Sequence, residues 1–74
     1  MSVMEQVTTS NINLHDKVSQ KLFNGETRDY IITGIVKRSN YVELVGRGIE
    51  DENHINNFYS ISTNIFPSLF KIDE

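Results

Sequence analysis

Two histidines and one run of carboxylates are the residues whose types invite chemistry. His54 closely follows Glu50-Asp51-Glu52, an arrangement that suggests a bound cation. A calcium loop, however, sets oxygen ligands at alternating positions around a glycine, and a zinc site pairs histidines or cysteines at short spacing. Neither pattern is present, so His54 reads as a solvated imidazole in a polar loop and no metal site is expected. His15-Asp16 reads as the polar start of a strand or helix. Gly46-Arg47-Gly48 is too short to cradle a phosphate and reads as a bulge or strand end. The chain has no cysteine nucleophile, and a domain this small has little room for a water-excluding pocket. The expectation is a non-enzymatic protein with no catalytic residue and no cofactor.

The elements that position the remaining side chains are strands. The chain contains no alanine, while isoleucine and asparagine supply 17 of its 74 residues. The best helix former is absent and β-branched residues abound. Residues 29–38 (DYIITGIVKR) and 41–47 (YVELVGR) are rich in Ile, Val, Tyr and Thr, with Ser39-Asn40 between them. Two such runs around a polar pair whose asparagine tolerates positive φ predict a hairpin. The acidic, asparagine-rich stretch 49–57 predicts a loop. Residues 58–63 predict a strand with Tyr59 and Ile61 inward, Ser60 and Ser62 outward, and Phe58 opposite Tyr59. Asn64 to Pro67 breaks it. Residues 69–72 predict a closing strand with Phe70 and Ile72 in the core, where truncation of either to alanine would cost a few kcal/mol. Tyr59 and Phe66 complete the expected aromatic core.

Segment 14–23 (LHDKVSQKLF) fits two patterns. Leu14, Val18 and Leu22 recur at helical spacing, with Asn13 as a cap and Asn24-Gly25 as a stop. Val18, Gln20 and Leu22 against Ser19, Lys21 and Phe23 fit a strand, which the β-rich surroundings favour. Residues 1–10 are expected to be a flexible segment ahead of one small barrel domain over 11–74. The alternative is an α+β fold with a helix at 14–23 packed on a small antiparallel sheet.

The order HDKV…KLFNG…DYIITGIVKRSNYVELVG…FYSISTNIFPSLFKI resembles the small SH3-like barrels of the Tudor and KOW type. Asp16-Lys17-Val18 would open the first strand, and the hairpin around Ser39-Asn40, strand 58–63, a turn at 64–66 and strand 69–72 would follow. The resemblance implies an all-β, SH3-like barrel of about five strands over residues 15–72. Two departures matter: His15 stands where the family commonly has glycine, and no complete aromatic cage maps onto this chain. Methyl-ligand recognition is therefore not carried over.

With Ser39-Asn40 as the turn, Arg38 pairs with Tyr41, Lys37 with Val42, Val36 with Glu43, Ile35 with Leu44, Gly34 with Val45 and Thr33 with Gly46. One face then carries Ile31, Ile35, Val42 and Leu44, with Lys37 at the tip, and reads as core. The other mixes Ile32, Val36, Tyr41 and Val45 with Arg38, Glu43 and Arg47. A solvated sheet face is mainly polar, so this composition suits either a protein-binding patch or a surface covered by another part of the barrel. A one-residue change of register would exchange the faces.

These residues give a protein-binding module whose site is Arg38, Tyr41, Glu43, Val45 and Arg47. The alternative is a KOW-like nucleic-acid binder using the basic tip, Lys37, Arg38 and Arg47, although Glu43 sits among them. The net charge of −3 is too mild to choose. The absence of cysteine suits a reducing compartment, neither a signal peptide nor a membrane span is read, and a cytoplasmic location is expected. The short, alanine-free composition resembles phage accessory proteins, which implies a modulator or inhibitor of a host protein acting in the host cytoplasm. Homodimer formation is compatible with a small barrel that leaves strand edges to pair.

Overall fold

The computed structural model describes residues 5–61 and 64–72. Over these the protein is all-β, with six strands: β1 (Glu5–Thr8), β2 (Lys17–Lys21), β3 (Thr27–Lys37), β4 (Val42–Gly48), β5 (Ile55–Tyr59) and β6 (Ile65–Lys71). They form one antiparallel sheet in the order β1-β6-β2-β3-β4-β5. No helix occurs among the described residues, and so none that is long and apolar enough to cross a membrane.

Segment 14–23 holds a strand, β2, rather than a helix. Val18 pairs with Tyr30 and is fully buried, while Lys17 and Lys21 alternate outward. Leu14 is exposed, which removes the helical stripe. The residues before β2 form a tight turn: Asp16 N–H donates to Asn13 O, and Asn13 N–H donates to the Asp16 carboxylate. His15, at φ 72°, passes through the left-handed region there. Its backbone N–H donates to Ile32 O, and Ile32 N–H donates to Asp16 O, so this turn docks on the middle of β3. Between β2 and β3, Gly25 adopts φ 90°, and the Asn24 side chain accepts the Glu26 N–H. Glycine enters this conformation without steric cost.

The β3–β4 hairpin has the expected turn, with Arg38 N–H donating to Tyr41 O at 2.8 Å. The expected register holds from Lys37↔Val42 to Gly34↔Val45. It then changes. Ile32 pairs with Gly46, Ile31 with Arg47 and Tyr30 with Gly48, with a shift between Ile32 and Gly34. Thr33 is thus an extra residue on β3. Because side chains alternate with period two, one extra residue exchanges the faces of everything before it. Tyr30 and Ile32 go into the core and Ile31 comes out, the reverse of the expected assignment.

Three further expectations are corrected. Within the segment expected to be flexible, Glu5–Thr8 form β1, paired with β6, with Val7 fully buried. The strand after the acidic loop begins at Ile55 and has the opposite phase: Phe58 and Ser60 are buried, Tyr59 and Ile61 exposed. Pairing explains this, since Phe58 lies opposite Leu44 on the core face, and Val42 N–H donates to Ser60 Oγ at 2.8 Å. Ser62 lies outside the described residues. Finally, β6 runs through Pro67. The β1–β6 register shifts between Gln6 and Thr8, and Ser68 sits at φ 61°. Proline is tolerated at such an irregularity because no ladder donor is needed there. Phe66 and Leu69 are therefore the fully buried residues of β6, while Phe70 and Ile72 are only half-buried.

The core consists of Val7, Ile12, Val18, Tyr30, Ile32, Leu44, Phe58, Phe66 and Leu69. Every strand contributes, so each depends on the others for its burial.

Candidate functional site

The two ends of the β3–β4 ribbon carry the side chains that sequence singled out. At the base, below Thr33, the inward glycines make room for rings. A Cβ on Gly46 would stand 2.8 Å from Phe58 Cε2 and 3.1 Å from Tyr30 Cβ. The bare backbone seats Tyr30 against Phe58 edge to face, with ring centroids 5.2 Å apart, a favourable aromatic geometry. Gly48 is constrained differently, since a Cβ there would meet Asp51 O at 2.6 Å. This lets residues 49–54 turn back over the strand end, with His54 N–H donating to Asp51 O and Gly48 N–H donating to His54 O.

That turn carries His54 over Tyr30, with Nε2 and Oη 3.1 Å apart. The imidazole is half-buried rather than solvated. An open cleft of about 430 Å³ lies beside the pair, bordered by Arg28, Asp29, Glu50 and Asp51. Among the described residues, no cluster of three or more His, Asp or Glu is placed to hold a metal ion. The Tyr30–His54 pair satisfies a buried hydroxyl and closes this end of the core.

The outward residues of β4 and its approach are Tyr41, Glu43 and Val45 at the tip and Arg47 below the level of Thr33. Their cross-strand neighbours are Val36 and Ile31 on β3, and Tyr59, Asn57 and Ile55 on β5. Tyr41 and Tyr59 meet edge to face, with centroids 5.8 Å apart. Glu43 lies 3.9 Å from the Arg38 guanidinium and accepts from the Asn57 side chain. Thr33 Oγ1 donates to Val45 O at 3.3 Å, so the extra residue is tied to the face it creates.

Arg38, Tyr41, Glu43, Val45 and Arg47 therefore come together along one surface. Lys37 does not join them, because it pairs with Val42 on the core side of the ribbon. Ile32 is fully buried below. The basic trio Lys37, Arg38 and Arg47 is divided between two faces, with Arg38 engaged by Glu43. Sequence reasoning missed Tyr59, Asn57 and Ile55 as members of the face. In the run 55–61 both phases contain apolar side chains, so alternation alone does not choose. The useful signal is Ser60, whose hydroxyl meets a β4 backbone N–H and fixes Phe58 inward.

Comparisons with known proteins found no matching family model, no similar curated protein and no similar solved structure.

Proposed function

We propose that this chain is a non-enzymatic protein-binding module whose contact surface is the outer face of β4. The observation that carries this is the Tyr41–Tyr59 pair beside Val45 and Val36, with Arg38 and Arg47 at the two ends. Tyrosine and arginine around a desolvatable apolar centre are the side chains that most often dominate binding energy. Tyr59 is 52% exposed, so it is available to a partner while Tyr41 holds its ring in place. The succession of strands β6-β2-β3-β4-β5 supports an SH3-like barrel as the scaffold. The alanine-free composition supports a phage-encoded modulator of a host protein as the narrower reading.

A nucleic-acid-binding role is supported less well, because Lys37 stands apart from Arg38 and Arg47 and Glu43 lies between the arginines. The two readings separate in one experiment: affinity capture from a bacterial lysate with and without nuclease, repeated with Tyr41→Ala and Arg47→Glu. A protein partner retained after nuclease and weakened at least about tenfold by either substitution, with the melting temperature unchanged, fits the proposal. Capture that disappears with nuclease and falls steeply with salt fits the alternative. Unaltered capture by both variants would remove this face from consideration.

A further inference from the structure

The two edges of the sheet are finished differently. On β1, the Asn11 side chain occupies backbone groups that another strand would need: it accepts the Thr8 N–H at 2.8 Å and donates to Gln6 O at 2.8 Å. It also donates to the Glu5 carboxylate, which places a charge on that edge. β1 is short and irregular in register. These are recognised devices against edge-to-edge pairing.

β5 has none of them. Gly48 N–H donates to His54 O, and Ser60 N–H donates to Val42 O. With the Leu44↔Phe58 and Gly46↔Asn56 register between them, the alternation of an antiparallel ladder turns the N–H and C=O of Ile55, Asn57 and Tyr59 outward from the sheet. The strand INNFY contains no charge and no proline. Ile55 and Tyr59 are 54% and 52% exposed.

We propose that two copies of this chain associate by antiparallel pairing of β5 with β5, on a two-fold axis through Asn57. The strand is self-complementary about that residue. Ile55 faces Tyr59 of the second copy, Tyr59 faces its Ile55, and Asn57 faces Asn57, so each outward N–H finds a carbonyl. The cross-strand pairs are aromatic with β-branched, a favourable combination, and the absence of charge on the strand removes the self-repulsion that a symmetric contact would otherwise impose. A two-fold contact closes on itself and gives a dimer rather than a fibre. The inference rests on the backbone edge of β5 and shares Ile55, Asn57 and Tyr59 with the face proposed for partner binding.

Sedimentation equilibrium of the full chain from micromolar to millimolar concentration tests it. The unmodified chain is expected to pass reversibly from monomer to dimer. Asn57→Pro removes an outward N–H while leaving the β4 ladder bonds in place, and should weaken dimerisation about tenfold or more. Two paired variants test the register. Ile55→Lys with Tyr59→Lys sets like charges opposite each other twice and should be monomeric throughout. Ile55→Glu with Tyr59→Lys sets opposite charges there and should dimerise, less so as salt rises. A monomeric unmodified chain would overturn the proposal. So would a dimer that survives Asn57→Pro in a folded protein, or equal behaviour of the two paired variants.

Discussion

The tip and the base of the β3–β4 ribbon are made from the same two strands and do opposite things. At the base, Gly46 and Gly48 give up side chains so that Tyr30, Phe58 and His54 close over bare backbone. At the tip, Gly34 is the glycine, and it lies on the other side, beside Val45. Outward-facing Tyr41 and Tyr59 stack there instead. Thr33 separates the two regimes. One residue inserted in one strand lets the ribbon seal the core at one end and present a half-apolar surface at the other. A bulge of this kind re-aims side chains without a new element.

Truncating the two β3 side chains that the bulge turns inward breaks the comparison most severely. Tyr30→Ala with Ile32→Ala takes two fully buried side chains out of the core. Their removal costs on the order of 5 kcal/mol or more, comparable to the whole stability of a small domain. The expected result is loss of a cooperative thermal transition followed by circular dichroism. A melt close to that of the parent would mean that these two side chains do not hold the base of the ribbon together.

The glycines sharpen the same contrast. Gly46→Ala forces Phe58 and Tyr30 apart and should destabilise by about 1–3 kcal/mol in denaturant unfolding. Gly34→Ala meets Val45 only at 3.5 Å, an ordinary contact. It should change stability by about 0.5 kcal/mol or less, or raise it slightly by restricting the unfolded chain. Equal losses at the two positions would mean that the ends are packed alike.

Much of this was legible in the chain. Ser39-Asn40 and the β-branched runs around it give the hairpin and its pairing as far as Gly34. The β-rich surroundings of Val18 favour a strand, and β2 is one. The five side chains named for the contact surface share one side of the ribbon because Tyr41, Glu43, Val45 and Arg47 alternate along β4 and its approach, which carry no extra residue, and Arg38 meets Tyr41 across the turn. What was hidden has physical causes. Thr33 carries no local mark of being an extra residue, because a bulge is decided by what both strands must bury. β1 offers one buried side chain, Val7, among polar neighbours, so its strand character comes from β6. Pro67 reads as a terminator, and only an irregular register lets β6 continue through it. The Tyr30–His54 contact joins residues from different strand ends, so spacing could not reveal it.

The place of β6 in the sheet also governs when the protein can be finished. β2 to β5 are neighbours in both sequence and space, so they can form as successive hairpins. β6 must then return past them to lie against β2, and β1 can dock only on β6, with Glu5 pairing to Lys71. Contacts this distant in sequence slow folding, since the chain entropy is lost before they form. During synthesis, the earliest strand therefore waits for the latest. Until residues 65–71 emerge, the open side of β2 is the point at which a nascent chain is most exposed to mispairing.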